Sequence, residues 1–184
     1  MNIAIFGGSF DPIHIGHEQI VYKALEQLDI KKIILVPTFL NPFKREYFFD
    51  PKEREQLLRN LFTDKEHIDI SNYEIKQNQA VPSIDTVQYF KRTVNPSKIY
   101  LIIGADNLKS LHLWDNFEQL KTLVTFVVFH RKGYEVKNDI IPFIDIELDI
   151  NISSTTLRDS KDLTYIPKKI KNKVADLWNK ESKK

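Results

Sequence analysis

Four short apolar runs constrain this chain more than anything else in it. They lie at residues 2–6, 32–36, 98–103 and 125–130, and none alternates apolar with polar residues. A strand that is apolar on both faces must be covered on both sides, as in a parallel sheet between helices. Helical patterns separate the runs. Ile20, Val21, Ala24, Leu25 and Leu28 recur on one face of a helix predicted over 15–28. Asp50-Pro51-Lys52-Glu53 reads as a helix start, with Asp as N-cap, Pro at the first position and Glu at the third, over about 50–62. Ser83 is expected to cap a helix running to about residue 94, stopped by Asn95-Pro96, and a further helix is expected near 116–123. Weaker strands are read at 68–75 and 144–147, and short helices at 154–158 and 167–179. Strands alternating with helices along 184 residues predict an α/β fold, a doubly wound parallel sheet in a single domain spanning 1–184. Residues 38–50 form the one long irregular loop of the first half.

In such folds ligands sit beyond the carboxyl ends of the strands. The segments after Phe6, Val36, Ile103 and His130 are therefore where chemistry is sought. Composition narrows the classes first. Apolar content of 42% and charged content of 28% are ordinary for a soluble globular protein. There is no cysteine, which excludes disulfides, thiolate zinc sites and a cysteine nucleophile and fits a reducing compartment such as the cytoplasm. No run approaches the ~18 apolar residues of a membrane span, and no basic segment precedes the first apolar run, so no signal peptide is read there. The net charge is +2. Seven lysines from Lys168 onward, against Asp176 and Glu181, put the basic excess in a C-terminal helix over 167–184. The remainder is net negative, which argues against a broad nucleic-acid-binding face.

Glycine is scarce, five residues where average usage near 7% gives about 13. Three of the five fall in Gly7-Gly8-Ser9-Phe10-Asp11-Pro12-Ile13-His14-Ile15-Gly16-His17, at the turn from the first strand into the first helix. Gly7-Gly8 lets backbone approach a ligand closely. The helix N-terminus offers free N–H groups and a positive dipole end, which favour phosphate. His14 and His17, three apart on a first turn, face the same way and make a cationic or donor-rich clamp for an oxyanion. A His-x-x-His metal site would need further ligands, and only Asp11 is near. The spacing is neither the dinucleotide-binding fingerprint nor a P-loop.

A second constellation, Ile152-Ser153-Ser154-Thr155-Thr156-Leu157-Arg158, is a strong N-cap signal. It gathers a helix N-terminus, hydroxyl donors and an arginine suited to bidentate phosphate contact.

The first string resembles the Gly-x-Phe-Asp-Pro-x-His-x-Gly-His signature of the nucleotidylyltransferase superfamily, and the second resembles that superfamily's Ile-Ser-Ser-Thr-x-Ile-Arg motif, with Leu157 for Ile. The His-Ile-Gly-His tetrad also occurs in class I aminoacyl-tRNA synthetases. This chain has no room for an anticodon domain and no Lys-Met-Ser-Lys-Ser loop. The resemblance implies a Rossmann-like nucleotidylyltransferase fold that binds ATP. It places Gly7, Gly8, Ser9, Phe10, His14 and His17 around the nucleotide, and Ile152, Ser153, Ser154, Thr155 and Arg158 at its β- and γ-phosphates.

Other segments are similar to those of bacterial nicotinate-mononucleotide adenylyltransferases. In Ile103-Gly104-Ala105-Asp106, followed by Trp114, the resemblance puts Gly104 and Asp106 by the adenosine ribose and Trp114 on the nicotinate ring. The loop Pro37-Thr38-Phe39-Leu40-Asn41-Pro42-Phe43-Lys44 looks like that family's Pro-x-x-x-Pro-Pro-His-Lys loop. Lys44 keeps the phosphate-binding charge, while Asn41 and Phe43 depart from the Pro and His. Pro82-Ser83-Ile84-Asp85-Thr86 resembles the Ser-Tyr-Thr-x-Asp-Thr segment that meets the nicotinate carboxylate. Because Pro82 has no N–H, Ser83 or a later residue must donate. Arg131-Lys132-Gly133 and Tyr165-Ile166-Pro167 match further family segments.

The implied reaction is transfer of AMP from ATP to nicotinate mononucleotide. His14, His17 and Lys44 act as catalytic phosphate ligands; Lys44, Ser83, Asp85, Thr86, Trp114 and Arg131 face the acceptor. Mg²⁺ would arrive with ATP rather than on a protein metal site. The alternative is a related transferase acting on nicotinamide mononucleotide or another phosphorylated acceptor. The sequence sets no oligomeric state.

Overall fold

The computed structural model describes residues 1–41, 45–133, 136 and 139–182. Its centre is a six-stranded sheet in the order β3-β2-β1-β4-β5-β6, with every neighbouring pair parallel. The strands are β1 (Asn2–Gly8), β2 (Lys32–Pro37), β3 (Ile68–Ile70), β4 (Lys98–Gly104), β5 (Thr125–Arg131) and β6 (Phe143–Leu148).

Residues along each strand point alternately to the two faces, and here both faces are apolar. Ala4, Phe6, Ile33, Leu35, Tyr100, Ile102, Val127 and Phe129 belong to one core. Ile3, Ile5, Ile34, Val36, Ile99, Leu101, Ile103, Phe126 and Val128 belong to the other. The missing alternation is thus the direct imprint of burial on both sides. Helices α1 (Ile15–Gln27), α2 (Pro51–Leu61), α6 (Ser154–Ser160) and α7 (Lys171–Glu181) cover the first face, through Val21, Leu58, Leu157, Val174 and Trp178 among others. The second face is covered by α4 (Ser83–Thr93), a 3-10 segment (Ala105–Leu113) and α5 (Phe117–Leu123), through Val87, Phe90, Leu111 and Leu120.

The helix start at Asp50 forms as the sequence indicates. The Asp50 carboxylate accepts from Lys52 N–H at 2.8 Å, and the Glu53 side chain reaches back to Asp50 N–H at 3.2 Å. Three expectations change. The strand read over 68–75 stops at Ile70, because the Ser71 hydroxyl accepts the Tyr73 N–H and the chain turns into the one-turn helix α3 (Tyr73–Lys76). Ser83 is not a side-chain cap: Pro82 is the N-cap of α4, its carbonyl accepting from Asp85 N–H at 3.0 Å. The last helix begins later, after a 3-10 turn at Lys168–Ile170, and Trp178 with Val174 is its buried stripe, Leu177 packing at the margin. No helix of the described residues is long and apolar enough to cross a membrane.

Candidate active site

Strands β1 and β4 are neighbours whose following helices go to opposite faces of the sheet. This is the switch point at which a crevice opens beyond the strand ends. Two cavities lie there, about 490 Å³ and about 330 Å³, and both are bordered by Gly7, Gly8, Asn41, Gly104 and Asn107. A Cβ at Gly7 would meet nothing within 4 Å, so bare backbone faces open space where the two cavities join.

The larger cavity holds the two histidines. His14 is the N-cap of α1: its Nδ1 accepts the His17 N–H at 3.4 Å, and the His17 Nδ1 accepts the His14 N–H at 3.3 Å. The rings stack with centroids 3.7 Å apart. Because both Nδ1 atoms accept, the neutral rings carry their proton on Nε2, and both Nε2–H groups are left as donors. Burial, with the nearby Arg131 charge, pushes His14 down to about 3. Burial and the neighbouring His14 hold His17 well below its ordinary value. Of the two clamps read from the sequence, the cationic one gives way to a neutral, donor-rich one. Gly16 makes room for it, since a Cβ there would lie 3.0 Å from the His14 ring. Phe10, at φ 47, sets its ring edge-on to His17 at 5.1 Å.

The second motif closes the same cavity. Ser153 caps α6, its hydroxyl accepting the Thr156 N–H at 3.1 Å. Ser154 donates to the Pro12 carbonyl at 3.0 Å, and Arg158 donates to the Asp11 carbonyl at 2.6 Å and to Thr155 Oγ1 at 3.0 Å. Two helix N-termini about 140 residues apart in sequence are thereby bolted side by side. Ile152, Ser153, Ser154, Thr155, Gly104, Asp106 and Arg131 line this cavity with Gly7 to Phe10, His14 and His17; Arg158 braces it from behind. Exposed Asp106 sits where a Cβ on Gly104 would meet its Oδ1 at 2.6 Å, so this glycine admits the carboxylate.

The smaller cavity is lined by Ser83 and Trp114. Asp85 and Thr86 line neither cavity: Asp85 is exposed, and buried Thr86 donates to Glu74 Oε1 at 2.6 Å. The first two N–H groups of α4, on Ser83 and Ile84, precede the helix's own hydrogen-bond ladder and remain available there. Lys44, with Pro42 and Phe43, lies outside the described residues.

Two site-shaping residues escape the sequence reading. Arg54 is almost fully buried, and its guanidinium donates to the carbonyls of Phe49 at 3.0 Å, Ser9 at 2.6 Å and Phe39 at 2.9 Å. Asp11 accepts the N–H groups of Phe48 at 2.7 Å and Phe49 at 2.8 Å. Together they fasten the signature loop to the loop after β2. Arg54 stands on a helix surface pattern of charged residues, so only its burial distinguishes it. The other is Glu74, taken up below.

A crevice at the β1/β4 switch point, with two helix N-termini and paired imidazole donors facing one cavity, is the arrangement of an α/β protein that takes a phosphate-bearing ligand. The chain belongs to the cytidylyltransferase-like family, whose model matches residues 5–160. It is 48% identical over 177 residues to a protein of Aliarcobacter butzleri named "Probable nicotinate-nucleotide adenylyltransferase", covering 96% of this chain and 97% of that one. It is 42% identical over 183 residues to a protein of the same name from Campylobacter jejuni, covering 100% and 99%. Among solved structures, the Plasmodium falciparum nicotinic acid mononucleotide adenylyltransferase complexed with NaAD shares the fold at a TM-score of 0.79, with 22% identity and 97% of each chain covered.

Proposed function

We propose that this chain transfers the adenylyl group of ATP to nicotinate mononucleotide, giving deamido-NAD and pyrophosphate, as a step of NAD biosynthesis. The observation that carries this reading is the pair of joined cavities meeting at Gly7-Gly8. One suits a polyphosphate; the other holds an indole and the open N-terminus of α4. The names of relatives 42–48% identical over nearly the whole chain support it.

The acceptor phosphate is ionised at neutral pH, so no general base is needed, and it displaces pyrophosphate from the α-phosphorus directly. The protein's task is to hold two anions in line and to stabilise charge on the transferring and leaving groups. His14 and His17 donate Nε2–H to the α- and β-phosphate oxygens. Ser153, Ser154 and Thr155 take the pyrophosphate end, with Arg158 holding Thr155 in place, and Lys44 adds a charge from the loop after β2. Gly104 and Asp106 meet the adenosine ribose, Trp114 stacks on the pyridine, and the segment from Ser83 through Asp85 and Thr86 presents α4 to the ring substituent.

Among the described residues no group of three or more His, Cys, Asp or Glu is placed to hold a metal. Mg²⁺ would arrive with ATP and neutralise phosphate charge, the phosphates supplying most of its oxygen ligands. The whole chain acts as one nucleotidylyltransferase unit in the cytoplasm, with small molecules as its partners.

The test is pyrophosphate release with ATP and Mg²⁺, comparing nicotinate mononucleotide with nicotinamide mononucleotide. Strong preference for the acid supports the proposal. Comparable rates keep the adenylyl transfer but remove the acid selectivity, and activity with neither overturns the acceptor assignment.

A further inference from the structure

Among the described residues five buried side-chain polar atoms have no hydrogen-bond partner, and three of them line one cavity. They are Thr38 Oγ1, Glu74 Oε2 and Trp114 Nε1, from the loop after β2, from α3 and from the segment after β4. Buried polar groups left unpaired cost stability and call for an explanation. Three on residues of one cavity wall point to a ligand that completes them. Glu74 is the most telling. It is only 4% exposed; its Oε1 is occupied by the Thr86 hydroxyl at 2.6 Å, while its Oε2 is buried without a partner on a residue that lines the cavity with Ser83 and Trp114.

We propose that Glu74 is a specificity-determining residue, its Oε2 hydrogen-bonding the exocyclic group of the acceptor's pyridine ring and thereby choosing between acid and amide. This rests on the reading of the reaction given above. In the neutral form, Oε2–H donates to a ring carboxylate. In the ionised form, Oε2 repels a carboxylate and accepts from a carboxamide N–H. The two acceptors differ only at that group, so one proton on Glu74 inverts which of them is favoured.

The environment keeps that proton. Burial pushes the Glu74 carboxyl up to about 7, with the Thr86 hydroxyl opposing in part. Tyr73 and Lys76 share its helix. Helix α4 brings Asp85, Thr86 and Tyr89, the last stacked on Tyr73 at 4.0 Å. Asp115 lies on the cavity wall. Strand β2, against which α3 packs, is apolar from Ile33 to Pro37, and its one charged residue, Lys32, is paired with Asp69 at 2.6 Å. Among the described residues no cation is paired with Glu74 to hold it ionised. The carboxyl is therefore mostly neutral below pH 7 and ionised above it.

The experiment is the ratio of kcat/KM for nicotinate mononucleotide to that for nicotinamide mononucleotide, measured from pH 6 to pH 8.5 on the wild type and on Glu74→Gln. The acceptor and ATP phosphates titrate identically in both arms and cancel in the ratio, which reports the free enzyme's proton. The wild-type ratio is expected to fall about tenfold or more as pH rises across the range, since each unit above the pKa depletes the neutral form about tenfold. Glu74→Gln, which keeps an acceptor for Thr86 and a fixed donor for the ring carboxylate, is expected to hold a high ratio at every pH. A flat wild-type ratio overturns the proposal without recourse to any variant. So does a Glu74→Gln enzyme with the wild-type slope. If the wild type turns over neither acceptor, the reading of the reaction falls, and this inference with it.

Discussion

His14 and His17 each accept the other's backbone N–H at Nδ1, at 3.4 and 3.3 Å, with their rings stacked between. The reciprocity does two things with one pair of side chains. It satisfies two of the N–H groups that a helix start leaves open, and it fixes both tautomers with Nε2–H as the free donor. Capping thus uses one edge of each ring and leaves the opposite edge, with its Nε2–H, free to meet a ligand.

Replacing His17 by Ala removes one of two donors aimed at the transferring phosphates. Loss of a single oxyanion donor costs roughly 10²-fold in kcat or more. Steady-state turnover should fall by that amount while the circular dichroism spectrum is unchanged. Near-full turnover would remove His17 from the mechanism.

The same rings make stability depend on pH. In the unfolded chain a histidine titrates near 6.5, whereas in the fold His14 sits at about 3 and His17 is also lowered. Below pH 6.5 the unfolded state binds the extra protons, so stability is fully present above 6.5 and is lost as pH falls toward 3. Between those values His14 contributes a slope of up to about 1.4 kcal/mol per pH unit, and His17 adds to it in the same direction. Urea unfolding at pH 7, 6, 5 and 4 should show the decline. His14→Asn, which retains a capping side chain without the titration, should make it shallower, leaving the part that His17 contributes.

Arg54 supplies hydrogen bonds to three carbonyls, one in the signature loop and two at opposite ends of the loop after β2. Arg54→Met keeps most of the volume and strands those acceptors. With an unsatisfied buried group costing about 1–3 kcal/mol, denaturant unfolding should show a loss of at least about 2 kcal/mol. KM should rise for both substrates, because the signature loop and the loop after β2 lose their common anchor.

Gly7 and Gly16 should respond differently to Ala. At Gly7 the added methyl meets no protein atom, so thermal stability should be unchanged while the KM for ATP rises several-fold. At Gly16 the methyl lies 3.0 Å from the His14 ring. Both stability and kcat should drop there.

Trp114→Ala should raise the KM for the mononucleotide more than that for ATP, because the indole lines the smaller cavity and not the larger. Equal effects on both substrates would count against ring stacking.

The sheet was readable because its strands are buried on both faces and so carry no competing periodicity; β3, with three residues, was overrun by the neighbouring turn chemistry of Ser71. The lining of the larger cavity was readable because glycines, histidines and hydroxyls cluster within short stretches. The lining of the smaller cavity was less so. Glu74 sits between Tyr73 and Ile75 in a segment that reads as a strand, and nothing local marks a carboxyl as buried. Asp85 and Thr86 belong to the right helix start, yet helical rotation turns one to solvent and the other toward Glu74. Arg54 resembles any charged residue on an amphipathic helix until its three partners, drawn from positions 9, 39 and 49, are brought together by the fold.

That last arrangement has an evolutionary corollary. A guanidinium is the one side chain whose donors fan out in a plane widely enough to serve three backbone carbonyls at once, so lysine is no substitute at position 54. Selection on catalysis would preserve this arginine as strictly as the histidines, although its head group is spent entirely on the chain's own backbone. Invariance across relatives would therefore mark Arg54 as catalytic to anyone counting identities, when its contribution is to keep two loops in register.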